Sequence, residues 1–474
     1  MNENVTALLP ETALTAAAVI ALLAAGWLPR RRQWTVASLA ALAGIIGLAA
    51  TSHTMATDAA QTVFSRAFAV DTATNLGRLT VLGALLLVIA MSMETVRGHK
   101  HEAEYYVLLL LTSTGTLAII GANDLLMLFA GYLLASIPAY ALAGFAKEAP
   151  GTESALKYYL MGALLGVTML AGIALLYGAG RTTRYPELRT ALPTAPYGLV
   201  AVGLVAVLAG LLFKAGGVPA HFWVPDVTDG TTPPVAAYVT TLPKIGALIA
   251  GYRLLHQALP DTDVNWPLLL AVLAAASMTL GNLAAFFQTS VKRLLAYSTI
   301  SQVGYLLMAL AVATRTDLAQ KGLLFYLAAY AVTNLGAFAV VTELPHARTL
   351  DDYRGLASRR PALAAVLLIC LLGLVGTPPT GVFLGKLEVF SATIDGGYTW
   401  LAALAVANTV ASLFYYLRWL VPVFQPAPAD QPAATHAVLG RWSAITAYTA
   451  GAASLALGIA GGTILPLTTG SLLP

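Results

Sequence analysis

Apolar segments long enough to cross a membrane recur along the whole of this sequence. A helix needs about 20 apolar residues to span the hydrocarbon of a bilayer. Only 10% of the residues are charged, whereas a soluble domain carries roughly a quarter. The sequence therefore predicts an all-α polytopic membrane protein with about fourteen transmembrane helices, at 11–29, 34–52, 76–94, 105–121, 124–145, 155–178, 197–219, 232–256, 267–287, 294–313, 319–342, 361–392, 398–424 and 442–468.

The seventh and twelfth segments contain residues that interrupt a helix. The seventh runs into Gly-Gly-Val-Pro, and the twelfth contains Gly-Thr-Pro-Pro-Thr-Gly. Interrupted backbone at membrane depth must be buried in protein or line a wet cavity, because lipid cannot satisfy its N–H and C=O groups. The predicted breaking residues are Gly216, Gly217, Pro219, Pro378 and Pro379.

Paired interrupted helices are typical of transporters that are built from inverted repeats. We therefore expect two inverted five-helix repeats, each with one broken helix. The predicted parts are residues 1–104 with helices 1–3, 105–260 with helices 4–8, 261–425 with helices 9–13, and 426–474 with helix 14. Helix 7 is the broken helix of the first repeat and helix 12 that of the second.

Five basic residues fall within the apolar spans: Lys214, Lys244, Arg253, Lys386 and Arg418. A charge at the centre of a span costs at least ~2.5–3.5 kcal/mol and is functional by default. Arg253 and Arg418 lie toward span ends, where we expect them to snorkel to the interface. The three lysines lie deeper. Buried lysine, unlike arginine, loses its proton readily, so the three lysines, joined by water, predict a proton relay.

Three other ionisable residues are candidates for the relay. His221 either extends it or is a hydrogen-bonded structural histidine beside Trp223. Asp124 is expected to cap the start of the fifth span, with a relay role as the alternative. Glu388 follows Lys386 by two positions and lies on a different helix face, so we expect it to pair with a neighbouring helix or to extend the relay.

The composition argues against bound cofactors and nucleic acid. The single cysteine, Cys370, allows neither a disulfide within the chain nor a cysteine-ligated cluster. The net charge of +4 is modest and suits loops at a lipid surface better than nucleic acid. We therefore expect the lipid bilayer as a partner, and no metal and no cofactor-binding residue on this chain.

Basic residues in the short loops predict the orientation. If Arg30, Arg31 and Arg32 face the cytoplasm, the loops on that side hold about twice as many lysines and arginines as those on the other side. Both termini are then on the outer side. No loop is long enough for a soluble domain.

Three stretches resemble the antiporter-like, proton-translocating subunits of respiratory complex I, most closely its subunit N group. They are LLFKAGGVPAHFWVPDVTDGTTPPVAAYVTTLPKIGAL, GNLAAFFQTSVKRLLAYSTISQVGYLLMAL and LDDYRGLASRRPALAAVLLICLLGLVGTPPTGVFLGKLEVF. The resemblance runs in order from about residue 105 to 425. It implies that Lys214 is the central lysine of a first half-channel, Lys244 a connecting lysine, and Lys386 the terminal lysine of a second half-channel.

The resemblance also implies partner subunits, a cellular location and cofactors that lie outside this chain. The partners would be other membrane-arm subunits in a bacterial inner (plasma) membrane. NADH, FMN, iron–sulfur clusters and quinone would be bound by partner subunits and not by this chain. A multi-subunit cation/proton antiporter and a membrane-bound hydrogenase use the same superfamily and are the alternatives.

One position departs from the family pattern. The fifth span reads GYLLASIPAY, with Leu133 where the family carries a glutamate that is thought to pair with Lys214. Either Lys214 has another partner or the first half-channel is weakened. A scaffold subunit that does not pump is therefore a further alternative.

Overall fold

The computed structural model describes residues 5–57, 60–426 and 440–473. Its α-helices are α1 Leu9–Ala25, α2 Trp34–Ala56, α3 Thr72–Val96, α4 Glu102–Ile120, α5 Leu125–Ala143, α6 Ala149–Gly180, α7 Tyr185–Ala191, α8 Tyr197–Ala215, α9 Trp223–Gly230, α10 Pro233–Ala258, α11 Trp266–Ala285, α12 Val291–Ala311, α13 Leu318–Glu343, α14 Leu356–Arg359, α15 Pro361–Val375, α16 Gly381–Asp395, α17 Thr399–Phe424, α18 Arg441–Ile459 and α19 Gly461–Ile464. Short 3-10 helices cover Val5–Leu8, Arg30–Arg32, Leu192–Thr194, Leu350–Tyr353 and Leu465–Thr468.

The predicted polytopic, nearly all-helical fold is confirmed. Within the described residues, 12 helices are long and apolar enough to cross a membrane, and the pair α18 and α19, bent by 74°, brings the number to 13. The 15-residue helix α15 is shorter than a span, but α16 continues it after a break. The two together cover the predicted twelfth segment. Residues 427–439, in the predicted C-terminal part, lie outside the described residues.

A short β-hairpin, which the sequence did not predict, precedes α3. Its strands are β1 Gln61–Val63 and β2 Phe68–Val70, which pair antiparallel with Thr62 opposite Ala69. Asp71 follows β2 at once, and its side chain accepts a hydrogen bond from the N–H of Thr74 at 3.0 Å. The residue that caps the N-terminus of α3 therefore follows directly after the hairpin.

Three helices form the centre of the molecule. The spanning windows of α10, α12 and α13 are 100%, 94% and 89% buried, whereas that of α6 is only 33% buried. Apolar side chains such as Val167 and Leu164 of α6 point outward. Because the outer faces are apolar and the central helices are shielded, polar groups on the central helices are kept away from lipid.

Arg253 does not snorkel, so that prediction was wrong. The residue is fully buried in α10. Its two terminal nitrogens each donate to a carboxylate oxygen of Asp71 at 2.8 Å, and one of them also donates to the hydroxyl of Thr74 at 2.9 Å. Each charge is compensated by the other inside the helix bundle, so the arginine side chain does not need to reach the membrane interface.

Candidate functional site

The first break separates α8 from α9 at the predicted residues. Gly216 ends α8 in the left-handed region, with φ +79°, a conformation that glycine adopts without strain. Its N–H and that of Gly217 donate to the carbonyl of Leu212 at 2.8 and 2.9 Å, which closes the helix end. Pro219 follows a cis peptide bond. Lys214 therefore lies in the last turn of α8, beside the break.

Lys214 is held by neutral oxygen atoms of α5. Its Nζ donates to the carbonyl of Ala135 at 2.7 Å and to the hydroxyl of Ser136 at 2.9 Å. It also lies 5.7 Å from the centroid of the Tyr132 ring. Lys214 is 1% exposed, and it takes part in no salt bridge among the described residues. The lysine thus has partners, but none that carries a charge.

Leu133 lies on the outer face of α5. It is 38% exposed, and Leu134 and Ile137 are exposed beside it. Ser136 follows three residues later on an adjoining part of the helix and reaches Lys214. Sequence reasoning missed this serine, although it stands directly before Ile-Pro in the stretch that lacks the glutamate.

The second break, between α15 and α16, repeats the features of the first. Gly376 ends α15 with φ +92°. Its N–H and that of Thr377 each donate to the carbonyl of Leu372 at 3.1 Å. The peptide bond between Pro378 and Pro379 is cis. Both breaks therefore combine a left-handed glycine, a cis prolyl bond and a buried lysine nearby.

Lys386 reaches back from α16 to the end of α15. Its Nζ donates to the carbonyl of Val375 at 2.8 Å and more weakly to that of Leu374 at 3.4 Å. The last carbonyls of a helix favour a cation through their unsatisfied oxygens and the helix dipole. A Cβ on Gly376 would lie 2.9 Å from Cδ of Lys386, so this glycine also leaves room for the lysine.

Lys244 lies in the central helix α10 and is 1% exposed. Its Nζ donates to the hydroxyl of Tyr330 in α13 at 3.1 Å and lies 4.9 Å from the centroid of that ring. Sequence reasoning did not single out Tyr330. In the part of the chain that the structure describes, all three lysines donate to uncharged oxygens, and no hydrogen bond joins one lysine directly to another.

The structure does not bring His221 or Asp124 to a lysine. His221 is 5% exposed, packs its ring against Phe222 at 4.4 Å, and has a buried Nδ1 without a partner. Asp124 caps α5, where its side chain accepts from the N–H of Leu126 at 2.7 Å and from the hydroxyl of Thr183 at 2.5 Å. These contacts favour the structural alternative for Asp124.

Glu388 pairs with a neighbouring helix, as one of the two alternatives predicted. Its carboxylate lies 3.2 Å from Nζ of Lys321 in α13. The two side chains remain partly exposed, at 24% and 18%. The pair therefore lies at the margin of the bundle, and Lys386, two residues earlier, points to the opposite, buried side.

A polar cleft of about 780 Å³ opens near α9. Asp226 of α9 accepts from Lys157 of α6 at 2.8 Å and from Arg293 of α12 at 3.1 Å. Burial opposes ionisation of Asp226, but the hydrogen bonds from these two cations outweigh it and hold the pKa of the carboxyl below its usual value. Three helices are thereby tied together just beyond the first break.

No group of three or more His, Cys, Asp or Glu side chains could hold a metal ion among residues 5–57, 60–426 and 440–473. Cys370 is buried in α15. The groups beside the two breaks are amines and hydroxyls, which can exchange protons, and backbone carbonyls, which can accept hydrogen bonds from water.

Comparison with known proteins identifies the family. A family model described as "NADH:quinone oxidoreductase/Mrp antiporter, TM" matches residues 122–412, which is more than half of the chain. NADH-quinone oxidoreductase subunit N 1 of Streptomyces griseus is 56% identical over 465 residues, with 98% of each chain covered. The chain belongs to the family of NADH-quinone oxidoreductase subunit N. The resemblance that the three sequence stretches carried is thereby confirmed.

Solved structures share the fold of this chain. A chain of respiratory complex I from Thermus thermophilus is 30% identical, with a TM-score of 0.83, over 98% of this chain and 100% of that one. A chain of the Mrp complex from Dietzia has a TM-score of 0.86 over 98% of this chain and 96% of that one, at 22% identity. This second likeness shows a shared fold and carries no further weight.

Proposed function

We propose that this chain is a proton-translocating, antiporter-like membrane-arm subunit of a complex-I-type NADH:quinone oxidoreductase. The observation that carries the proposal is the set of three lysines, each at most 3% exposed and each with only neutral oxygens as hydrogen-bond acceptors in the described structure. Such amines are costly inside a membrane protein. Proton exchange is a reason to keep them, since a lysine can give up its proton where an arginine cannot.

Each lysine takes the role that the family resemblance implies. Lys214 is the central amine of the first half-channel, Lys244 connects the two halves, and Lys386 exchanges protons with the outer side. Protons pass between them through water. NADH, FMN, iron–sulfur clusters and quinone belong to partner subunits, so this chain is driven by its neighbours and performs no electron transfer.

The chain lies in a bacterial inner membrane with both termini on the outer side, beside other membrane-arm subunits. The left-handed glycine and the buried lysine that the two breaks share support an inverted repeat of residues 105–260 and 261–425. Labelling of single cysteines introduced near residues 30 and 100, from either side of sealed vesicles, tests the orientation. Labelling at both positions from the cytoplasmic side is expected, and labelling from the outer side would reverse it.

Substitution of Lys386 by Met tests the function in the intact oxidoreductase, reconstituted in sealed vesicles. We expect fewer protons translocated per NADH oxidised, because methionine keeps the bulk of the side chain and cannot hold a proton. Lys100→Met is the matched control, because Lys100 is exposed in the loop between α3 and α4. Wild-type translocation by the Lys386 variant would refute the proposal.

A scaffold role without pumping is the second candidate, and Leu133 is the observation that favours it. Leu133→Glu in the same complex distinguishes the two. If the neutral partners of Lys214 are sufficient, the substitution leaves the proton yield unchanged. If the variant instead translocates more protons per NADH than the wild-type complex, the native first half-channel is inactive.

A further inference from the structure

We infer that the hydroxyl of Tyr330 is the switch that connects Lys244 to Lys386 across the central helix α12. The inference rests on the proposed proton translocation. Lys244 and Lys386 come from different helices, and no hydrogen bond in the described structure joins them. A proton that passes from one to the other therefore needs groups between them, and α12 is the helix that supplies them.

The first argument is the set of partners around the hydroxyl of Tyr330. Nζ of Lys244 donates to this oxygen at 3.1 Å. The hydroxyl is also 3.1 Å from the carbonyl of Thr240 and 3.0 Å from the hydroxyl of Thr299 in α12. A tyrosine has a single hydroxyl hydrogen, so it can donate to Thr240 or to Thr299 but not to both. In one orientation the hydroxyl donates to the backbone carbonyl of Thr240, and in the other it donates to the hydroxyl of Thr299 in α12.

The second argument is a matching cluster that leads to Lys386. Gln302 of α12 donates from Nε2 to the carbonyl of Leu374 at 2.8 Å, and Lys386 docks on the same carbonyl. The side-chain oxygen of Gln302 accepts from the hydroxyl of Tyr326. Gln302 therefore holds the weaker of the two carbonyl acceptors of Lys386, which makes it a positioning residue.

The two clusters face each other at helical spacing. Thr299 and Gln302 are three residues apart on α12, and Tyr326 and Tyr330 are four residues apart on α13, so each pair lies on one helix face. Cβ atoms at this spacing are about 5–6 Å apart, so the two clusters lie about one helical turn apart, and the inferred path needs water between their polar groups.

Two buried polar atoms near this link have no protein partner in the described structure. They are the hydroxyl of Ser301, which adjoins Gln302, and Oδ1 of Asn334, whose Nδ2 donates to Thr241 at 2.8 Å. Unsatisfied buried polar atoms in a native protein call for a partner, and water is the usual one. They supply an independent reason to expect water beside the two clusters.

The transfer balances without any change in the intervening groups. The N–H bond of the Lys244 ammonium breaks as the oxygen of Tyr330 gains that proton. The original hydroxyl proton of Tyr330 passes to Thr299, the Thr299 proton passes to water, and water delivers a proton to the neutral amine of Lys386. Tyr330 and Thr299 end as they began, and one proton has moved. When the hydroxyl of Tyr330 points to Thr240, its proton cannot pass to Thr299, and the path is interrupted at that step.

Tyr330→Phe in the intact oxidoreductase tests the switch, with protons translocated per NADH as the readout. The variant removes one oxygen and keeps the ring. We expect the proton yield to fall to the level of Lys386→Met, while electron transfer through partner subunits continues. Tyr106→Phe is the matched control, because Tyr106 is also fully buried and its hydroxyl has no partner in the described structure.

Thr299→Val is the second variant, which decides the question if the phenylalanine variant fails to assemble. It keeps the shape of threonine and should give the same loss. The double variant should be no worse than either single one, because both break one link. Equal losses for Tyr330→Phe and Tyr106→Phe, or wild-type yield in Tyr330→Phe or Thr299→Val, would overturn the inference. Wild-type yield in Lys386→Met would instead overturn the proposed function.

Discussion

The buried ion pair between Asp71 and Arg253 gives the sharpest prediction about stability. Asp71→Asn removes one charge and keeps the size of the side chain. The amide oxygen can still accept from the N–H of Thr74, because asparagine caps helices as well as aspartate does. The substitution therefore keeps the cap and removes the charge, and it also replaces the oxygen that accepts from Arg253 and from the N–H of Leu473 with an amide donor.

The expected magnitude follows from the geometry. Both partners are at most 1% exposed, and two hydrogen bonds of 2.8 Å join them. Removal of one partner leaves the guanidinium of Arg253 buried without a countercharge, which costs about 3–5 kcal/mol. Domains of 150–250 residues lose about 2–4 °C in Tm for each kcal/mol, and larger chains lose less, so we expect a decrease of roughly 3–10 °C here.

The assay is a thermal shift of this chain within the detergent-solubilised complex. Aliquots are heated and centrifuged, and the chain that remains soluble is measured by immunoblot. Asp351→Asn is the matched control, because Asp351 is 77% exposed in its pair with Arg354, and surface pairs contribute about 0–1 kcal/mol. Addition of Arg253→Met to Asp71→Asn should recover part of the loss. If Asp71→Asn and Asp351→Asn have the same Tm, the buried charge does not hold α3 to α10.

Three other outcomes are expected. Ser136→Ala removes one of the two hydrogen bonds to Lys214, which is worth about 1.5–3 kcal/mol for a charged donor. The variant should translocate fewer protons per NADH. An unchanged proton yield would show that the carbonyl of Ala135 suffices for Lys214. Gly376→Ala, strained by about 1–2 kcal/mol at its positive φ, should displace Lys386 and lower the proton yield along with Tm. Ion pairs that hold the pKa of Asp226 below its usual value stabilise the protein above about pH 4 and stop doing so as the pH falls through the lowered pKa. The thermal shift caused by Asp226→Asn should therefore be present at neutral pH and shrink as the pH falls through the lowered pKa, and a shift that does not change with pH would contradict this account.

Much of the fold could be predicted because it depends on local sequence. Long apolar runs define spans wherever they occur, and each predicted segment coincides with a helix or with two halves of a broken one. The breaks were predictable for the same reason, since glycine and proline act on their own backbone. The hairpin at Gln61–Val70 was missed because three-residue strands carry too little periodicity.

The partners of the buried charges could not be predicted, because they come from distant parts of the sequence. Lys214 binds Ser136, 78 residues away, and Lys244 binds Tyr330, 86 residues away. Arg253 meets Asp71 across 182 residues. Its position near a helix end suggested the interface, and only tertiary packing shows that the end is enclosed. Sequence thus located the amines, and structure was needed to find what they touch.

The central claim is that the buried amines exchange protons, and Lys386→Arg tests it most directly. Arginine keeps the positive charge and can still donate to the carbonyls at the end of α15, but it does not release its proton near neutral pH. The measurement is the number of protons translocated per NADH by the intact complex in sealed vesicles. Assembly of the complex and its rate of NADH oxidation are measured on the same variant. The account predicts an assembled complex with a reduced proton yield, and a full proton yield with arginine at this position would contradict it.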